Sequence, residues 1–229
     1  MSKQAYWDEY YALPKHKRPF DWLLDYTDVR DLLEAQLPAT GHFVFLDVGC
    51  GTSSFASNVV FHNSPRVHTT GFCLDFSQPA LLYQRQRHQR EVCRRIEHNT
   101  SSKSPRIVSP SESNLCFLRA DARHFPFPND LFYFVVDKGT TDAVLKDTRS
   151  GIATATRILQ ESLRVLKTSG TLWQITDEDP ELRASFVHDR GRHIGMDGLR
   201  VSFRAIEPNR GGEYFVYTIR KPETAEENA

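Results

Sequence analysis

The chain has no excess of charge of either sign, no paired cysteines and no long apolar run, and each absence removes a class of protein. Its 29 Lys and Arg residues are matched by 29 Asp and Glu, a formal net charge of zero. No broad positive field draws it to a phosphate backbone, so a nucleic-acid partner is not expected. Cys50, Cys73, Cys93 and Cys116 form no CxxC pair and have no His at zinc-ligand spacing, which predicts thiols in a reducing compartment and no metal. No stretch approaches the ~20 apolar residues of a membrane-spanning helix, so no membrane partner is expected either. The opening "MSKQAYWDEYYALPKHKRPF" is neither a secretory apolar region nor an acid-poor transit peptide, and any targeting segment is expected to be absent from this chain.

What is present reads as one domain over residues 1–229, a length that one core can serve. "FDWLLDYTDVRDLLEAQL" spaces its leucines as a helix does, with Asp28 as the expected cap. "HFVFLDV" is a short apolar run suited to a strand buried on both faces. "VHTTGFCLDFS" predicts the next strand, ending at Asp75, and "QPALLYQRQRHQREVCRRI" the next helix, with Pro79 in its first turn. Residues 97–114 are rich in Ser, Pro and charge and predict a mobile surface insertion. Further strands are expected to end at Asp121, at Asp137 and Lys138, and at Asp177, with a helix over "IATATRILQESLRVLK" capped by Gly170. Two last strand-like runs joined by "PNRGG" predict a hairpin. The fold class is therefore α/β: five parallel strands, a C-terminal antiparallel hairpin, and helices on both faces.

In such a sheet, ligands bind where strand ends converge. Asp47, Gly49 and Gly51 follow the first strand, where glycines allow a tight turn and a close ligand. A dinucleotide fingerprint needs a third glycine, yet position 54 is Ser. A nucleoside with an amino-acid tail fits better, with Asp75 accepting from ribose hydroxyls and Asp121 from an adenine amine.

"LDVGCGTSS", "LDFS", "RADARHF" and "VVDKGTTDAV" together resemble the successive cofactor motifs of Rossmann-like, seven-strand S-adenosylmethionine-dependent methyltransferases. More narrowly, "FDWLLDY", "DKGTTDA", "TDEDPELR" and "YFVYTIR" resemble the mitochondrial citrate synthase lysine methyltransferases, relatives of the enzymes that methylate elongation factor 1-alpha. The resemblance implies protein-lysine methylation with S-adenosyl-L-homocysteine as product, citrate synthase as the protein partner, a monomer, and the mitochondrial matrix, with the cytoplasm as the alternative. It implies that residues 1–22 cover the cofactor through Trp7, Tyr11 and Trp22. Asp47, Gly49 and Gly51 would face the methionine portion, Asp75 and Phe76 the ribose and adenine edge, Asp121 and Ala122 the adenine, and Lys138 would lie beside the site. Thr141 and Ser53 depart from the residues common among such relatives.

Lysine methylation needs a neutral amine aligned with a methyl group. Asp177, Glu178 and Asp179 are the candidate contacts for the substrate lysine; the catalytic group itself is left open. Each residue also has a plainer reading. Asp47 can serve only its turn, the N-terminal aromatics can be packing anchors, Lys138 can pair at the surface, and 177–179 can be a solvated face. The competing functions are methylation of another protein lysine, such as one in elongation factor 1-alpha, a nicotinamide-dependent oxidoreductase, and a catalytically silent interaction protein.

Overall fold

The computed structural model describes residues 4–13, 20–62, 66–100 and 114–222. Most of the expected insertion, 101–113, and residues 1–3 and 14–19 of the expected covering segment lie outside the described residues. The elements run α1 (Gln4–Ala12), α2 (Tyr26–Glu34), β1 (Gly41–Val48), α3 (Phe55–His62), β2 (Val67–Asp75), α4 (Gln78–Thr100) and β3 (Asn114–Arg119). There follow β4 (Phe132–Lys138), α5 (Thr140–Leu145), α6 (Gly151–Val165), β5 (Leu166–Thr176), α7 (Pro180–His193), β6 (Arg200–Ile206) and β7 (Tyr214–Arg220).

The strands form one sheet in the order β3-β2-β1-β4-β5-β7-β6. β1 to β5 pair in parallel, while β7 is antiparallel to both β5 and β6. Alternation along β1 explains its unbroken apolar text: Phe43 and Phe45 face α2 and α3, whereas Leu46 and Val48 face α6 and α7. Burying each phenyl contributes ~1.5–3 kcal/mol. Gly71 of β2 makes room for this core. It is registered opposite Phe45 and Leu115, and a Cβ there would lie 2.5 Å from Phe45 Cζ and 2.7 Å from Leu115 Cδ1. Gly71→Ala is expected to cost ~1–3 kcal/mol by overpacking. Urea unfolding should show a lower midpoint at unchanged slope; an unmoved midpoint would mean that the ring yields freely.

Five local expectations are corrected. The cap of α2 is Asp25, whose carboxylate takes the amides of Thr27 (2.8 Å) and Asp28 (3.3 Å). Asp28 instead sits in the first turn and returns a bond to the Asp25 amide at 2.8 Å, closing a capping box. Leu23, counted with the helix in sequence, lies before it with φ at 65°. Gly170 caps nothing: α6 ends at Val165, β5 begins with the next residue, and Gly170 is inside that strand. β3 stops at Arg119, which leaves Asp121 in the turn beyond, and β5 stops at Thr176, which leaves Asp177 outside it.

Candidate active site

The turn after β1 is shaped by two left-handed glycines, Gly49 at φ 63° and Gly51 at φ 50°. Space constrains them as well. A Cβ on Gly49 would collide with the Thr140 hydroxyl of α5, and one on Gly51 with the Tyr11 hydroxyl of α1. Asp75, at the end of β2, accepts from the Gly51 amide and from the Ser77 amide, each at 2.8 Å. The carboxylate thereby ties the glycine turn to the start of α4. Burial raises its pKa to about 6 in spite of those amides. Asp47 is buried beneath the same turn, and its Oδ2 has no hydrogen-bond partner among the described residues. Burial pushes its pKa to about 7, Lys138 opposes the rise, and the neighbouring acids Asp21, Asp75 and Asp137 add to it.

Ser54, at the position of the missing glycine, has a specific partner. Its amide (3.2 Å) and hydroxyl (2.6 Å) both donate to Asp21 Oδ2, and the Ser53 hydroxyl donates to the other oxygen. Lys138 Nζ completes the set, 3.1 Å from Asp21 Oδ1 and 3.0 Å from the Trp22 carbonyl. Burial alone would raise the Asp21 pKa, but Lys138 and the serines hold it below the usual carboxylate range. Because α3 begins at Phe55, the chain's own carboxylate occupies the helix N-terminus where a dinucleotide fold seats pyrophosphate. Sequence reasoning missed Asp21. Its only signal was its place in "FDWLLDY", beside the aromatic that had been singled out.

The N-terminal aromatics sit at different depths. Tyr11 is buried against Gly51, and burial together with Asp75 drives its phenol pKa well up. Trp7 stacks behind Tyr11 at 5.7 Å, while the Trp22 ring is 43% exposed, 4.9 Å from Phe20. On the far side of the sheet end, Phe76 is half-buried and its carbonyl accepts from Arg119 Nε at 3.2 Å. Asp121 turns on its own loop. It accepts from the Arg123 amide at 2.9 Å and from the Arg123 guanidinium at 2.5–3.0 Å, and the pair lowers its pKa. Ala122 beside it packs against the core on the α6 side.

Both departures noted in the sequence carry hydrogen bonds. Ser53 holds Asp21, and the Thr141 hydroxyl donates to Asp137. Asp137 also takes the Thr140 and Thr141 amides at 2.9 and 3.2 Å, so it anchors the first turn of α5.

The acidic run divides into three roles. Asp179 caps α7 by accepting from the Glu181 amide at 2.8 Å. Glu178 is half-buried, with Oε2 2.5 Å from Arg183 Nε. Asp177 is exposed, and its carboxylate makes no hydrogen bond or ion pair among the described residues.

A seven-strand sheet with a reversed last strand and a glycine turn after β1 is the architecture of Rossmann-like methyltransferases. The N-methyltransferase NodS from Bradyrhizobium japonicum, solved with S-adenosyl-L-homocysteine, shares it at TM-score 0.59 and 14% identity, covering 96% of this chain and 98% of that one. A family model described as a methyltransferase domain matches residues 46–173, and the chain belongs to that family. Over 96% of its length it is 32% identical to the mitochondrial citrate synthase-lysine N-methyltransferase of Homo sapiens, 87% of which is covered. It is as similar to that of Danio rerio, with 84% covered. EEF1A lysine methyltransferase 4 of Bos taurus is 26% identical over 94% of the chain, with 74% of the relative covered.

Proposed function

We propose that this methyltransferase uses S-adenosylmethionine to methylate a lysine of citrate synthase in the mitochondrial matrix, acting as a monomer. The structural observation that supports the cofactor is the orphaned Asp47 Oδ2 beneath a glycine turn, a buried carboxyl that feels the acids Asp21, Asp75 and Asp137 as well as Lys138. Such a floor suits a cationic ligand and repels a polyphosphate. With Asp21 already at the α3 N-terminus, it speaks against a nicotinamide dinucleotide. When bound, the cofactor supplies a methyl group on a cationic sulfur. Gly49 and Gly51 would admit its methionine portion, Asp75 and Phe76 would hold the ribose and the adenine edge, Asp121 and Ala122 the adenine, and Tyr11 and Trp7 would cover it, with Trp22 at the rim.

The acceptor is inferred from likeness to enzymes named for citrate synthase lysine. The chain's residues have little covalent work to do. They align an amine ~3–3.5 Å from carbon and exclude water, and they must favour loss of its proton from a starting pKa of about 10.4.

Two measurements test the reading. Thermal unfolding with S-adenosylmethionine at a hundredfold its dissociation constant should gain ~2.7 kcal/mol, and NAD should give none. Incubation with a labelled methyl donor and mitochondrial extract should label one lysine of citrate synthase, identified by mass spectrometry. Label on an elongation factor alone would change the substrate, and no label at all would leave a silent interaction protein.

A further inference from the structure

Arg183 is charged yet only 1% exposed. From α7 its guanidinium pairs with Asp142 of α5 and with Glu178 in the turn after β5. Gln174 Oε1 and Thr176 Oγ1 of β5 lie 3.4 Å from it, and Thr176 Oγ1 donates to Asp142 at 2.9 Å. One cation thus joins α5, β5 and α7 at the carboxyl end of the sheet. Thr140, two residues before Asp142, meets the glycine turn, with its hydroxyl donating to the Val48 carbonyl at 2.8 Å. The clamp is therefore part of the same strand-end surface as the candidate cofactor site.

The charged and titratable groups around this clamp are Asp137 on β4, Asp142 on α5, Asp177, Glu178 and Asp179 after β5, and Tyr217 on β7. Burial raises the Asp142 pKa, Arg183 opposes that rise, and Asp177 adds to it. At the outer edge Asp177 alone of the acidic run is free of both pairing and capping among the described residues.

We propose that Arg183 tunes the acceptor amine, an inference that rests on a lysine being the substrate. By balancing one of the two charges of Asp142 and Glu178, it leaves Asp177 at the outer edge as the carboxylate that draws in the lysine ammonium, and it lowers the negative charge at the inner strand ends, where that ammonium can lose its proton. Acids left unpaired inside would hold the amine protonated, and a protonated amine has no lone pair to donate. The proton passes to solvent water. The freed lone pair then forms the nitrogen–carbon bond as the carbon–sulfur bond breaks, sulfur keeping that electron pair and nitrogen taking the positive charge. Arg183 is in this sense a positioning residue that acts through two carboxylates.

The test is the pH dependence of the single-turnover methylation rate, with the full chain and citrate synthase. Arg183→Gln should displace the profile to alkaline pH by ~1 unit, and Asp142→Asn, which removes one carboxylate and leaves Arg183 balanced by Glu178, should displace it to acidic pH. Both should bind S-adenosylmethionine within ~2-fold of wild type, since neither group is assigned to the cofactor. A merely structural role would lower the rate without moving the profile, and that result overturns the inference. If Arg183→Gln does not fold, Asp142→Asn decides alone, and the absence of an acidic displacement overturns it. A wild-type chain that methylates no lysine would overturn the functional reading and this inference together, whereas an active enzyme with unmoved profiles would overturn only the inference.

Discussion

Replacing Asp75 by asparagine is expected to raise the dissociation constant for S-adenosylmethionine ~100-fold, measured by titration calorimetry at pH 8. The carboxylate holds the Gly51 and Ser77 amides with separate oxygens. An asparagine keeps one acceptor and turns an NH2 toward the other amide, so one side of the turn is released. Bonds to a charged group are worth ~1.5–3 kcal/mol each, and a loss of ~2.7 kcal/mol is a hundredfold in affinity.

A pH signature accompanies this loss. Asp75 has a pKa of about 6 in the fold, above the ~3.9 of an unfolded chain. The native state therefore binds the proton more tightly, and this group's contribution to stability is lost as pH rises through that window. Ligand binding that needs the ionised form has the opposite slope: wild-type affinity should fall as pH drops below about 6, and that of Asp75→Asn should not. An affinity within threefold of wild type in the variant would remove Asp75 from the site.

Asp21→Ala is expected to destabilise the protein by ~3–5 kcal/mol, because Lys138 would be left buried without its ion-pair partner. The Lys138 and Asp21 side chains are 5% and 12% exposed, so solvent can do little to replace the lost partner. The Ser53 and Ser54 hydroxyls and the Ser54 amide would lose their acceptor at the same time. Since the Asp21 pKa is depressed in the fold, its stabilisation is present above the unfolded pKa of ~3.9 and is lost as pH falls through the folded value. Asp21→Leu with Lys138→Met should cost less than the two single changes summed, as expected when one interaction is removed twice. Thermal and urea unfolding across pH checks Asp21→Ala, the two single changes and the double variant. A loss below ~1 kcal/mol for Asp21→Ala would show that the staple is slack.

Periodicity located every strand of the sheet, because a strand buried on both faces leaves a compact apolar run bounded by turn residues, as in β1 and β4. Ends were harder to read. Asp28 and Asp25 are equally plausible caps in sequence, and only the direction from which the chain enters α2 selects Asp25. Gly170 marks a helix end by habit, yet α6 runs directly into β5. Among the acids, position in sequence could not separate Asp177, Glu178 and Asp179. Their roles depend on where α7 begins and on Arg183 reaching back from it.

From its amino-acid order alone the chain determined the α/β alternation, the glycine turn with its acid at the end of β2, and the absence of a pyrophosphate fingerprint. These are local properties, written in neighbouring residues and in the conformations that glycine permits. The tertiary structure decided which charges meet. Asp21 reaches Lys138 across 117 positions and Arg183 reaches Asp142 across 41. The pairing of such groups, and the pKa shifts that follow, depend on burial and distance in space, which spacing along the chain does not encode.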